Sequence, residues 1–298
     1  MEQSHLLNSR GDKAFLTLNS FMLWLVLLVV LYPLIYIVSA SFSNPEAVAS
    51  GRVWLFPVDP TLDGYKAVFK HDMILTGFSN SFFYMIAGTA FNVLMTVLAA
   101  YPLSRRDFFG GKVLMLLFVF TMMFDGGLIP RYILVKDLEL LNTRWALIIP
   151  VALGVWHVII TRTYFRVTIS NELLEAARID GCNDFRFVWR IVLPLSAPIL
   201  AVISLFYAVG HWNQYFNALI FLKDPGLYPL QLVLKQILVE NEVDISMVGD
   251  VADLAMRAQL RDLLKYSLII VATVPVLAIY PFVQKHFVKG VMIGSLKE

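Results

Sequence analysis

Polar side chains are scarce in the apolar parts of this chain, so the few found there mark where chemistry could occur. Tyr207, His211 and Gln214 fall at i, i+4 and i+7, a spacing that stacks them on one helical face, and Asn213 with Asn217 forms a neighbouring polar row. Amide and imidazole groups beside the aromatic faces of Tyr207, Trp212 and Tyr215 could hold a hydroxyl-rich solute by planar hydrogen bonding and stacking. The same residue types also hydrogen-bond between membrane helices, so a purely structural role stays open for them. His157, alone on an apolar stretch, fits that structural role better.

A second constellation is Glu175-Ala176-Ala177-Arg178-Ile179-Asp180-Gly181, followed after nine residues by Ile191-Val192-Leu193-Pro194. Ser170 and Asn171 are good helix N-caps and Glu172 places an acid in the first turn, so a short helix should begin there. Gly181 permits the left-handed backbone that ends such a helix, and Asn183 or Asp184 can cap a second one carrying Phe185, Phe187, Val188 and Trp189. The expected product is a rigid elbow over residues 170–190. Ala176 and Ala177 would keep one face small enough for another protein to approach, with Glu175 projecting into it. An amphipathic helix lying on the membrane surface without a partner is the plainer reading of the same residues.

Covalent and hydrolytic chemistry find no support. The chain has no His-Glu-x-x-His, no Gly-x-Ser-x-Gly and no spaced carboxylate pair in its apolar stretches. Gly111-Lys112 is followed by Val113 and lacks the upstream glycine of a phosphate loop, so the chain is not its own ATPase. The single cysteine, Cys182, excludes an internal disulfide or a Cys-based zinc site, and two scattered histidines do not make a metal centre. No enzyme activity, cofactor or metal is expected of this chain itself, and no nucleic-acid partner.

The elements that position these residues must sit in a bilayer. Of the 298 residues 58% are hydrophobic and 15% charged, with a mean hydropathy of +0.71. Every Asp, Glu, Lys and Arg lies outside six segments: 15–42, 78–102, 113–124, 145–161, 191–222 and 266–284. Most can span about 30 Å of hydrocarbon as helices. The third reaches spanning length only by continuing through Asp125-Gly126-Gly127 toward Pro130, which would bring Asp125 to an interface or against other protein. Continuous apolar runs argue against a β-barrel. The expected fold is therefore an all-α membrane protein with six transmembrane helices, the first a retained span and not a cleaved signal. No repeat or linker divides it, so residues 1–298 are read as one permeating domain. In the loop from Lys223 to Lys265 an apolar patch, Leu230 to Val239, precedes an acidic stretch, Glu240 to Asp253; a solvated cap is expected, with a docking surface as the alternative.

Segments 1–14, 103–112, 162–190 and 285–298 hold 13 bases and eight acids, against 11 bases and 14 acids in the longer loops 43–77, 125–144 and 223–265. The positive-inside rule then puts both termini and the elbow in the cytoplasm.

Glu175-Ala176-Ala177, Gly181 and Ile191-x-Leu193-Pro194 match the loop signature of binding-protein-dependent ABC importer permeases, which this chain resembles. Phe124-Asp125-Gly126-Gly127-Leu128-Ile129-Pro130, Leu141-Asn142-Thr143-Arg144-Trp145, His211-Trp212-Asn213 and the tail from Phe287 to Lys297 extend the resemblance over nearly the whole chain. More narrowly, they look like the second membrane subunit of maltose-type importers, in the branch for complex oligosaccharides including alginate. The resemblance implies the type I importer fold, a bacterial inner-membrane location and a separate ATPase dimer that binds ATP and Mg. That ATPase would grip Glu175, Ala176, Ala177, Asp180, Gly181, Leu193 and Pro194. A second permease, a different chain, and an extracytoplasmic sugar-binding protein complete the implied complex. The competing expectation is a self-contained secondary carrier for a small polar solute. Against it, the six segments hold no carboxylate, Lys or Arg, only His157 and His211.

Overall fold

The computed structural model of the protein describes residues 10–240 and 264–278, and all regular structure among them is helical. They fall into two units, one of residues up to Lys70 and from Leu238 to Ala272, the other of His71–Ile237 and residues from Thr273.

The first unit begins with α1 (Arg10–Ser41), which contains an 18-residue window with a mean hydropathy of 2.7. At 1.5 Å per residue its 31 residues reach about 46 Å, enough to cross a bilayer with tilt. Its side chains from Phe21 to Tyr32 are all exposed, as a helix that is apolar all round must be when its solvent is lipid. Order sets in at its end. Ser39 Oγ donates to the Leu55 carbonyl (2.6 Å), and Ser43 Oγ accepts from the Val58 amide (3.0 Å). The short α2 (Pro45–Ala49) is capped by Asn44, whose Oδ1 accepts from the Glu46 amide at 2.9 Å. Ala40, Ala47 and Val53 form a small core with Tyr36, Val58 and Tyr266, the two tyrosine rings meeting edge to face at 5.8 Å. α3 (Asp63–Lys70) closes this part.

In the second unit, α4 (Asp72–Phe83), a π-helical turn and α5 (Thr89–Ser104) make one continuous 33-residue helix. α6 (Gly111–Met123) and α7 (Leu128–Asp137) follow, then two 3₁₀ turns, Arg144–Leu147 and Ile149–Val151, and α8 (Val155–Thr168). α9 (Asn171–Ile179), α10 (Asp184–Phe187) and α11 (Leu193–Leu195) form the elbow and its exit. α12 (Ala197–Trp212), α13 (Phe216–Phe221) and α14 (Leu230–Lys235) complete the unit, and α15 (Leu264–Ala278) is the last described helix.

Several expected spans are broken. α6 stops at Met123 and the chain turns 115° into α7, with Gly127 at φ 86° in the break. The third segment therefore does not run on as a helix through Asp125. Instead Asp125 is exposed, accepts from the Gly127 amide (2.7 Å) and pairs with Arg131 (2.9 Å), stabilising the corner. Arg144–Val151 and α8 meet at 53°, and the stretch Asp184–Leu195 meets α12 at 83°. The fifth segment also divides, because α12 ends at Trp212 and α13 starts only at Phe216. Among the described residues two helices are long and apolar enough to cross a membrane, and up to five spans result if each bent pair counts as one. The end of the sixth segment, residues 279–284, and the acidic stretch from 241 to 253 lie outside the described residues.

The patch at Leu230 is not a solvated cap. Leu230, Leu232, Val233, Leu234 and Ile237 are all buried, and the segment is pinned to α4. Asn80 Nδ2 donates to the Gly226 and Tyr228 carbonyls (2.8 and 3.1 Å), Tyr84 Oη to the Leu227 carbonyl (2.8 Å), and the Leu230 amide to Ser81 Oγ (2.8 Å). α4 meets this segment closely at Gly77, where an added Cβ would lie 3.1 Å from Leu230 Cα and 3.2 Å from a Val233 methyl. Gly77→Val is expected to cost about 1–3 kcal/mol by overpacking. Gly126→Val, at a glycine with open space around it, should cost little. Thermal unfolding of the purified protein, with both variants beside wild type, checks the difference.

Candidate functional site

The elbow is built by its own capping residues. Ser170 Oγ accepts from the Leu173 amide at 3.3 Å and opens α9, and its hydroxyl together with the Glu172 amide holds the Glu172 carboxyl below the usual range. Gly181, at φ 72°, ends the helix in a Schellman turn. The Cys182 amide donates to the Ala177 carbonyl (2.9 Å) and the Gly181 amide to the Arg178 carbonyl (3.0 Å). Asn183 then caps α10, its Oδ1 accepting from the Arg186 amide at 2.8 Å.

Alternate faces of this elbow have separate tasks. Leu174, Ala177, Phe187 and Val192 are buried in one cluster with Val97, Ala100, Val158 and Phe165 from α5 and α8. Ala177 therefore faces its own protein, and its small side chain allows α9 close to those helices; it does not present the outward surface expected of it. Glu175, Ala176, Asp180, Gly181 and Pro194 are exposed and Leu193 half-buried. Beside them Ile179 and Phe185 stand 87% and 78% exposed, too much apolar surface for a loop meant to face only water.

Charge fixes the elbow from the side. Arg105, at the end of α5, donates from Nε and Nη2 to the two Asp107 oxygens (3.0 and 2.7 Å) and from Nη1 to Tyr101 Oη (2.9 Å). The same guanidinium lies 3.5 Å from Asp184 at the start of α10, and Asp107 lies 3.5 Å from Arg178 in the last turn of α9. The Arg105 hydrogen bonds hold Asp107 below the usual carboxylate range. A depressed folded value means the contribution is complete above the ~3.9 of a free aspartate and is lost as pH falls through the lower value, so the clasp is intact at neutral pH. Loop 103–112 thus holds both halves of the elbow. Sequence reading passed over this clasp because its partners lie far apart in the chain.

The polar residues of the α12 region line a cavity of about 400 Å³. Tyr207, His211, Asn213, Gln214 and Asn217 are all on its wall, joined by Asn92, His157, Phe206, Tyr215 and Phe216. Trp212 is not: it is 1% exposed and packs against Phe78 and Phe82 of α4, with centroids 6.1 and 5.3 Å away, so it is a core residue. The expected i, i+4, i+7 face is continuous only to His211, because Asn213 bonds back to the Val209 carbonyl as the helix ends. Gln214 is still brought beside His211, with Oε1 at 3.2 Å from Nδ1, and donates to the Leu147 carbonyl at 3.1 Å.

Both expected roles coexist here. Tyr207 Oη contacts Thr96 Oγ1 (2.7 Å) and accepts from the Gly154 amide (3.1 Å), a bond between helices, while its ring lies tilted against that of His157 with centroids 4.3 Å apart. Asn92 Nδ2 donates to the Val151 carbonyl at 2.9 Å. Asn92 Oδ1, His157 Nδ1 and His211 Nε2 are buried without a partner, and Asn213 and Tyr215 are exposed. His157 belongs to this wall, a position its isolation in sequence did not suggest. Among the described residues no Asp, Glu, Lys or Arg lines the cavity.

The chain as a whole has counterparts among known proteins. Residues 5–293 match the family of binding-protein-dependent transport system inner membrane components. The polygalacturonan/rhamnogalacturonan transport system permease protein YtcP of Bacillus subtilis (strain 168) is 44% identical over 278 residues, covering 93% of this chain and 96% of its own. Protein LplC of the same organism is 40% identical over 290 residues, covering 97% of both chains. Among solved structures, a chain of a bacterial ABC transporter involved in the import of the acidic polysaccharide alginate superposes with a TM-score of 0.86 at 34% identity, covering 94% of this chain and 98% of that one. The chain belongs to the family of binding-protein-dependent transport system inner membrane components, with the type I ABC importer permease fold.

Proposed function

We propose that this permease is one half of an ATP-driven importer for an oligosaccharide, and that the sugar is an acidic one. The observation that carries the reading is the elbow: a helix pair locked on its inner face to α5 and α8 and presenting exposed Ile179, Phe185 and Glu175 outward. Such a surface suits a partner ATPase that binds ATP and Mg and drives the membrane helices through the elbow. A different, second permease would complete the path, and an extracytoplasmic binding protein would deliver the sugar.

The substrate reading is supported by the cavity, whose amide, imidazole and phenol groups could bond hydroxyls while Phe206, Tyr215 and Phe216 offer faces to sugar rings. A wall without carboxylates would not repel a uronate. The names of YtcP and of the alginate importer favour an acidic saccharide in turn. The path residues would be Tyr207, His211, Asn213, Gln214 and Asn217, with Tyr215 and His157 added.

Gly181→Val would require positive φ of a β-branched residue, costing about 1–3 kcal/mol and misaiming α10. Glu175→Lys would reverse the charge offered to the ATPase and leave the inner face intact. Both variants should bind the sugar-loaded binding protein normally yet lose sugar-stimulated ATP hydrolysis and uptake in liposomes. Wild-type stimulation in both would remove the coupling role. For the cavity, Asn217→Ala and Tyr215→Ala should change uptake or sugar preference with basal ATPase activity retained, as measured with radiolabelled oligogalacturonides; normal uptake in both puts the path elsewhere. With both termini and the elbow in the cytoplasm, a membrane-impermeant maleimide should label Cys182 in permeabilised cells and miss it in intact ones.

A further inference from the structure

A second cavity, of about 540 Å³, lies where α5 and α8 end and α6 begins, and five cations line it: Arg105, Arg106, Lys112, Arg162 and Arg166. Among the described residues no Asp or Glu is on its wall. Two of the five are already satisfied within the protein, Arg105 by Asp107 and Asp184, and Arg162 by the Leu103 carbonyl at 2.8 Å. Arg106, Lys112 and Arg166 form no ion pair among the described residues, although Glu172 feels the Arg106 charge from farther away. These three exposed cations share one concavity, a concentration of positive charge that favours an anion there.

The chemistry beside the cavity says which anion. Lys112 lies in the first turn of α6, a helix with no buried residue, whose Val113, Leu114, Leu116, Leu117 and Phe120 are all exposed. Phe109, 98% exposed, stands at the rim. A free phosphate would use the charges and ignore the helix, whereas a phospholipid would use both. We propose that this cavity binds the headgroup of an anionic phospholipid, with the phosphate among Arg106, Lys112 and Arg166 and the acyl chains along α6. The bound lipid also touches Arg105, so it abuts the clasp that holds the elbow and ties elbow position to membrane charge. The side of the membrane it faces rests on the orientation proposed above, to which the following measurement is indifferent.

The complete importer complex is purified in detergent, washed, and its retained phospholipid counted by mass spectrometry after exposure to equal phosphatidylglycerol and phosphatidylcholine. Wild type should retain phosphatidylglycerol selectively, and the triple variant R106Q/K112Q/R166Q should retain roughly tenfold less or lower still. The charge-keeping variant R106K/R166K and the single variant K112Q guard against a triple variant that fails to assemble: the first should keep the lipid and the second lose part of it. Equal retention of phosphatidylcholine, full retention by K112Q and the triple variant, or an empty cavity in the complete complex would overturn the proposal. Displacement of phosphatidylglycerol by millimolar inorganic phosphate would assign the site to a free anion and overturn it as well.

Discussion

The seating of α9 and α10 on α5 and α8 is the constraint from which the rest of the structure follows. Leu174, Ala177, Phe187 and Val192 share one buried cluster with Val97, Ala100, Val158 and Phe165, so the elbow cannot turn without those helices turning too. Burying a single Leu or Phe contributes about 1.5–3 kcal/mol, and several act together here. The clasp of Arg105, Asp107, Asp184 and Arg178 adds direction more than energy, since exposed ion pairs contribute little individually. Exposed Ile179 and Phe185 thus stand on an elbow whose inner face packs against the helices that wall the cavity.

Those helices are broken where the cavity needs them to be. The 53° bend before α8 exposes the Leu147 and Val151 carbonyls, which Gln214 and Asn92 satisfy from neighbouring elements. Breaking off after Trp212 lets Asn213, Gln214 and Tyr215 leave helical geometry beside His211. Irregular backbone at membrane depth is tolerated only where protein or water covers it, so breaks and cavity explain each other. The close approach of His211 to Gly88 belongs to the same design: a Cβ at Gly88 would collide with the imidazole, so glycine leaves room for the ring to reach the wall.

Local signals made much of this legible in advance. Ser170, Gly181 and Asn183 fixed the limits of both elbow helices because capping is a transaction among neighbours in the chain. The uncharged segments identified a helical membrane protein, and the polar spacing from Tyr207 to Asn217 singled out five residues of one cavity wall. Family membership followed from the same short signature.

Tertiary structure decided what each residue faces. Ala177 and Trp212 turn into the core because their helices lie against α5, α8 and α4, which no spacing encodes. The segment after Pro229 is buried and not solvated because Asn80, Ser81 and Tyr84 capture its backbone from far earlier in the chain. The break between α6 and α7 turns on Gly127 adopting positive φ and on Asp125 meeting Arg131, a choice between two conformations that composition permits equally. Sequence determined which stretches are helical, apolar and capped, since those depend on neighbours within a turn or two. Orientation, partners and cavities required distant segments to meet, and only the folded chain settles which of them do.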